Sequence, residues 1–239
     1  MKSKVENLNT KTKHITDIKN ALIGGFVILF YLLASSSPLL ILTLIGINYK
    51  HLPFILYYAY LISYEIILAL IIIYIYEKDI IPNFYDFKEN FKKYFKKYFK
   101  YWILMLILMM ASNFIITSYT SNNTSNNQET INAVFKIAPV YAFIVTIITA
   151  PILEELVFRL SFRKLFPYSN ILYILISGFI FGIMHVLGTA TDMKEFLFII
   201  PYSIPGIMFA YIYSKTNNIC VTIGLHFMHN FLMLLLKII

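Results

Sequence analysis

Three clusters of polar and ionisable residues lie within the apolar second half of the sequence. They are Glu154-Glu155-Leu-Val-Phe-Arg159, Phe181-Gly-Ile-Met-His185 and His226-Phe-Met-His229-Asn230. An ionisable side chain inside a membrane-spanning helix costs at least ~2.5–3.5 kcal/mol, so each cluster requires a reason. Carboxylates and imidazoles that share a water molecule are the usual general bases of hydrolytic enzymes. The clusters are therefore candidates for a hydrolytic site.

Helical spacing separates a supporting ion pair from a free carboxylate. Glu155 and Arg159 are four residues apart, so they share a helix face and can form an ion pair. Glu154 is rotated by about 100° from Glu155, and it is not needed for that pair. His226 and Asn230 have the same four-residue spacing and also share a face.

The predicted depths of these residues agree if the first of the two hairpin turns projects further into the cytoplasm than the second. Glu154 and His185 are symmetric about the predicted turn 167–170, and each lies about 23 Å from it in a helical hairpin. The next turn is predicted at 214–218, and the residues 226–230 lie roughly 15–21 Å from its centre. We therefore expect the clusters to meet in one cavity, and we expect that cavity to be accessible from the cytoplasm.

Each cluster also has a structural interpretation that needs no catalysis. A Glu-Glu pair often marks a solvated helix end, and a lone intramembrane His more often packs and bonds across helices. Glu65 lies near the centre of a predicted span without an identifiable partner, and we interpret it as a structural or interhelical group. The agreement of three clusters is what favours a site.

The composition defines the elements that position these residues. Of 239 residues, 59% are apolar or aromatic and 13% are charged, and the mean hydropathy is +0.72. Soluble domains average about 45–50% apolar residues and about 25% charged residues. This excludes an ordinary soluble enzyme and a disordered chain. The single cysteine, Cys220, excludes an internal disulfide.

The fold class that follows is all-α, a polytopic membrane protein with about seven spanning helices (range six to eight). The predicted spans are 21–47 with a kink near Pro38, 53–76, 101–118, 136–166, 171–188, 196–213 and 219–238. The predicted regions are a basic segment 1–20, N-terminal spans within 21–130, and a catalytic core 131–239. A basic amphipathic helix with aromatic anchors is predicted at 84–100.

The distribution of basic residues predicts the orientation. With a cytoplasmic N-terminus, fifteen Lys and Arg fall on the cytoplasmic side and four on the other, which satisfies the positive-inside rule. The C-terminus and the loop 119–131 would then lie outside. The helix 84–100 is predicted to contact anionic lipid at the cytoplasmic surface, or a regulatory partner. No pattern indicates nucleic-acid binding.

In this order and spacing, the motifs resemble the CPBP family of intramembrane proteases, named for CAAX proteases and bacteriocin-processing enzymes. The family pattern is Glu-Glu-x-x-x-Arg, then Phe-x-x-x-His, then His-x-x-x-Asn. The matching residues are Glu154, Glu155, Arg159, Phe181, His185, His226 and Asn230. The resemblance covers about residues 130–235, whereas residues 1–120 share only the apolar spans. His229 lies outside the pattern.

The resemblance implies a peptide hydrolase that activates water with a glutamate. Glu154 is implied as the general base, because a carboxylate in an apolar cavity is a stronger base than one in water. His185 would share or orient the water. His226 and Asn230 would donate hydrogen bonds to the oxyanion.

The same resemblance implies a supporting role for Glu155 and Arg159 and no cofactor. Two His and a Glu are also compatible with zinc, so a metal remains an open alternative. However, the His-Glu-x-x-His motif of zinc proteases is absent from the sequence, and the resemblance favours a metal-free mechanism.

The implied partner is a membrane-associated peptide or protein substrate, with roles in peptide maturation, bacteriocin immunity or signalling control. The abundance of Lys, Ile, Asn and Tyr, with two Arg, predicts an AT-rich genome and a bacterial source, and it disfavours a prenylated substrate. The apolar spans predict a place in the cell membrane. Two other classes stay open. One is a non-proteolytic scaffold or immunity protein. The other is a small transporter, although transporters usually show paired repeats.

Overall fold

The computed structural model describes residues 2–120 and 124–238, with side chains described for 15–120 and 124–236, and its described elements are helices. In chain order they are α1 (Lys2–Ser35), α2 (Pro38–Leu44), α3 (Phe54–Ile75), α4 (Glu77–Thr120), α5 (Asn126–Ile137), α6 (Pro139–Leu165), α7 (Asn170–Leu187), α8 (Ile199–Thr216) and α9 (Ile219–Ile238). Short 3₁₀ turns lie at Tyr49–His51 and Met193–Phe198.

Seven helical segments in the described part of the chain are long and apolar enough to cross a membrane. They are Ile15–Ser35, Phe54–Ile75, Glu77–Thr120, Pro139–Leu165, Asn170–Leu187, Met193–Thr216 and Ile219–Leu236. A span of about 20 apolar residues matches a hydrocarbon core of about 30 Å. The prediction of an all-α polytopic membrane protein is confirmed.

The first span is shorter at its C-terminal end than the predicted range 21–47. Helix α1 ends at Ser35, and the short α2 starts at Pro38. Proline cannot donate a backbone hydrogen bond and disfavours helical geometry in the preceding residue, so the chain breaks where a kink was expected. The Tyr64 hydroxyl donates to the Ala34 carbonyl at 2.8 Å, which satisfies a carbonyl near the end of α1.

The predicted basic helix 84–100 and the predicted span 101–118 form one continuous helix, Glu77–Thr120. Its lysines are exposed. The residues that pack it against α8 and α9 include Phe87, Tyr94, Tyr98, Trp102, Phe209, Val221 and Leu225. The Asn218 amide before α9 also donates to the Asp86 carboxylate at 2.7 Å. The predicted contact of this helix with anionic lipid remains a prediction.

The turn between α3 and α4 is fixed to the end of α6. The Tyr76 hydroxyl and the Ser161 hydroxyl are 2.7 Å apart, and burial raises the pKa of Tyr76 to about 12. The Lys164 ammonium lies 3.1 Å from the Asp79 carboxylate. These contacts place the α3–α4 turn and the last turn of α6 at the same end of the molecule.

Helices α7 and α8 approach so closely that glycine is required at the contact. A Cβ atom on Gly206 would lie 2.5 Å from the Gly178 carbonyl oxygen, and one on Gly182 would lie 2.7 Å from the Ile199 carbonyl oxygen. Small residues spaced four apart are typical of helix packing in membranes. The contact fixes α7, which carries His185, against α8.

This contact predicts that Gly206→Ala destabilises the protein in detergent by about 1–3 kcal/mol, the usual cost of overpacking. Gly188→Ala is the matched control, because a Cβ there meets nothing within 4 Å. Thermal unfolding measures both. Alanine is intrinsically the better helix former by about 1 kcal/mol, so a more stable Gly206→Ala protein would show that the two helices are not held in this contact.

Candidate active site

The fully buried carboxylate of Glu155 connects several residues of the candidate site. Glu155 and Arg159 on α6 are both 0% exposed, and Arg159 Nη2 donates to Glu155 Oε1 at 3.1 Å. The ring of His226 on α9 places Nδ1 2.9 Å from the same oxygen. A buried charge requires such partners, because an isolated one costs several kcal/mol. The predicted ion pair of Glu155 with Arg159 is therefore present, and its carboxylate also contacts His226.

The Arg159 guanidinium lies between two aromatic rings. Its central carbon is 4.7 Å from the Phe181 ring centroid and 5.9 Å from that of Phe209. Cation–π contacts of this kind are stronger where water is excluded. Phe181, the first residue of the second motif, thus packs on the first motif.

Glu154 faces a cavity, in contrast to its neighbour Glu155. Its side chain is 16% exposed, and its Oε2 lies 3.7 Å from His226 Nε2. This separation exceeds a direct hydrogen bond. His226 is therefore placed between the two glutamates, with Nδ1 on the buried carboxylate and Nε2 towards the accessible one.

His185 is oriented by its own helix. Its Nδ1 lies 2.9 Å from the Phe181 carbonyl oxygen. A carbonyl only accepts hydrogen bonds, so Nδ1 carries the proton and the neutral ring has its lone pair on Nε2. The ring stacks on Tyr202 of α8 at a centroid distance of 4.9 Å. The α7–α8 packing therefore fixes the second predicted imidazole.

Asn230 contacts the backbone of α6 where that helix widens. Residues Ile144–Thr149 are π-helical, a form in which each carbonyl bonds the N–H five residues later. For Thr146 that residue is Pro151, which has no N–H. Asn230 Nδ2 donates to the Thr146 carbonyl oxygen at 2.9 Å, and its second hydrogen remains for another acceptor.

The four predicted catalytic residues line one cavity of about 360 Å³. They are Glu154, His185, His226 and Asn230. The other walls come mainly from α4, α5 and the end of α9, and they include Met109, Asn113, Asn127, Phe135 and Met233. Glu155 and Arg159 are buried and do not line this cavity.

Comparison with known proteins gives partial matches to the chain. Residues 136–232 match the family model described as type II CAAX prenyl endopeptidase Rce1-like. A protein of Bacillus subtilis strain 168, named "Putative membrane peptidase YdiL", is 37% identical over 97 residues. The segment 136–232 belongs to the Rce1-like family. This confirms the resemblance predicted from the motifs.

The Rce1-like segment contains every motif residue, but the matches are partial. The alignment with the B. subtilis protein covers 40% of this chain and 36% of that relative. No solved structure matches the chain significantly. The cavity walls contributed by α4 and α5 up to residue 135 lie outside the Rce1-like segment.

Several lining residues were missed from the sequence or left without a role. His229 lines the cavity and packs edge-on against Trp102 at a centroid distance of 6.5 Å. It was visible in the third cluster but outside the family pattern. Asn127 donates to the Tyr202 hydroxyl at 3.1 Å. Asn127 belongs to a stretch interpreted as an outer loop, and no spacing signal connected it with the site.

The metal alternative has limited support from the donor set. Among the side chains described for 15–120 and 124–236, no group of three or more His, Cys, Asp and Glu is arranged to hold a metal ion. His226 uses Nδ1 on Glu155, which leaves Nε2 and the Glu154 carboxylate as the nearest donors.

Glu155 Oε1 is contacted by both Arg159 and His226. Substitutions of Glu155 and Arg159 are therefore predicted to affect folding. Arg159→Met leaves the buried Glu155 carboxylate without its cationic partner and lowers the yield of folded protein, because breaking a buried pair costs about 3–5 kcal/mol. Adding Glu155→Gln recovers yield, because the amide oxygen still accepts from His226 and no charge is left unpaired. Monodisperse protein after detergent extraction is the measurement. A double variant no better than Arg159→Met would contradict this account.

Proposed function

We propose that this protein is an intramembrane endopeptidase that hydrolyses a peptide bond of a membrane-associated substrate by means of a glutamate-activated water. The observation that carries the proposal is the position of Glu154, His185, His226 and Asn230 around one cavity. Membership of residues 136–232 in a family described as prenyl endopeptidases supports it.

In the proposed reaction, Glu154 accepts a proton from a water molecule as the water attacks the carbonyl carbon of the scissile bond. His185 Nε2 accepts a hydrogen bond from the same water and orients it. The proton held by Glu154 then passes to the nitrogen of the leaving amine. This sequence requires a base with limited access to bulk water, and the Glu154 side chain is 16% exposed.

The negative charge that develops on the carbonyl oxygen requires donors in fixed positions. Asn230 supplies the Nδ2 hydrogen that is not bonded to Thr146. His226 supplies Nε2–H when its ring is protonated, with Nδ1–H held by Glu155. Removing one such donor from a soluble protease costs about 2.7–4 kcal/mol of transition-state stabilisation.

The direct test is Glu154→Gln, which keeps the shape of the side chain and removes the proton acceptor. Cleavage of candidate signal peptides by membranes containing the variant should be abolished, while expression and membrane insertion stay unchanged. Glu89→Gln is the matched control, because Glu89 is exposed on α4 and distant in sequence from the motifs, and it should cleave as the wild type does. Full activity of Glu154→Gln would refute the general-base assignment.

Metal dependence has a separate test. A chelator should leave cleavage by the wild type unchanged, because the proposed chemistry uses only side chains and water. Loss of cleavage in chelator that added zinc restores would replace the metal-free mechanism with a zinc mechanism. If no peptide is cleaved and Glu154→Gln still supports a cellular immunity phenotype, the non-proteolytic scaffold interpretation is correct.

A further inference from the structure

The cavity lies towards one end of the helical bundle. Its walls include Gln128 and Phe135 of α5, and Leu234 near the end of α9. Met110 of α4 also lines it and is 57% exposed, so the cavity reaches the surface there. Ser125, just before α5, bonds Tyr202 near the start of α8 at 2.8 Å. The cavity therefore opens at the end of the bundle where α5 lies.

The opposite end of the bundle carries the basic residues. Arg163 and Lys164 lie in the last turn of α6, and Lys215 lies in the last turn of α8. The ion pair of Lys164 with Asp79 holds the beginning of α4, with its following lysines, near this end. The two ends of the bundle therefore differ in charge as well as in access to the cavity.

The depth of the motif residues agrees with this arrangement. His185 lies two residues before the end of α7, and that end is remote from the basic turn at which α7 begins. A depth of about 23 Å from that turn is beyond the middle of a hydrocarbon core of about 30 Å. The expectation of a cytoplasmic opening therefore conflicts with the N-terminal orientation predicted from the same sequence.

We propose that the cavity opens on the extracytoplasmic side, and that its substrate is an apolar peptide segment presented from that side by a membrane-anchored or exported polypeptide. This inference rests on the proposed function. By the sequence count, the segments assigned to the basic end contain fifteen Lys and Arg residues and those assigned to the other end contain four. The positive-inside rule places the end with fifteen in the cytoplasm.

The cavity walls favour an extended, apolar substrate. Its described lining contains no Lys or Arg, and Glu154 is its single carboxylate. Methionine and aliphatic side chains form much of the wall, and the amides of Asn113, Asn127 and Gln128 also line the cavity. An extended backbone at membrane depth needs hydrogen-bond partners, and side-chain amides both donate and accept. The lining therefore suits a peptide whose side chains are apolar and whose backbone forms hydrogen bonds with the side-chain amides of the cavity.

Orientation is tested first, in intact cells and in a Cys220→Ala background. Glu129→Cys places a thiol on the exposed face of α5, and Lys215→Cys places one at the exposed basic end. A membrane-impermeant maleimide should label position 129 and leave position 215 unlabelled until the cells are permeabilised. The reverse pattern would overturn the inference and would leave the proposed chemistry unaffected.

Cleavage is tested with two single-pass reporters that carry the same Ala/Leu-rich segment. One reporter presents the segment on the extracytoplasmic flank of its membrane helix, and the other presents it on the cytoplasmic flank. Wild-type protein should cleave the first reporter alone, and Glu154→Gln should cleave neither. Cleavage confined to the cytoplasmic flank supports the peptidase and overturns the proposed side. If the wild type cleaves neither reporter, the result counts against the proposed substrate. If position 129 is nevertheless labelled from outside, the orientation is supported and the result counts against the peptidase activity.

Discussion

The site depends on one buried carboxylate. Glu155 Oε1 accepts from Arg159 on its own helix and from His226 on another, so a single oxygen joins α6 to α9. A charge in this position is stable only while its partners are present. The arrangement of the catalytic candidates around it is therefore linked to folding, and displacement of His226 would remove one of the hydrogen bonds that stabilise the buried carboxylate.

A second connection between the same helices results from a local defect in helical geometry. Residues Ile144–Thr149 are π-helical, and Pro151 has no N–H to donate to the Thr146 carbonyl. That carbonyl accepts from Asn230 instead. Thr146 and Glu155 are nine residues apart on α6, and Asn230 and His226 are four apart on α9. Two contacts at two depths fix both the rotation and the translation of α9 against α6.

The motif residues could be predicted from the sequence because ionisable groups are conspicuous in apolar helices. Four-residue spacing predicted the pair of Glu155 with Arg159 correctly, since that contact lies within one helix. The contact of His226 with Glu155 was not predicted, because it depends on the rotation of two separate helices.

The missed features share the same physical cause. The π-helical turns and the role of Asn127 at the cavity are set by tertiary contacts that have no local periodicity. The end of the first span was misplaced by twelve residues, at Ser35 instead of residue 47, because hydropathy continues through α2 although the backbone does not. The glycine contact of α7 with α8 had a sequence signal, Gly178-x-x-x-Gly182, that was not used.

The energetics of the buried network bear on the choice between a peptidase and a scaffold. Replacing a buried ion pair by apolar side chains of similar volume is often neutral or stabilising, so a protein selected only to hold its helices together has little need for Glu155 and Arg159. A catalyst does need them, because they hold His226 beside an accessible Glu154 in a place where water is scarce. Under the proposed function, the cost of burying these charges is explained by chemistry at the cavity instead of by packing.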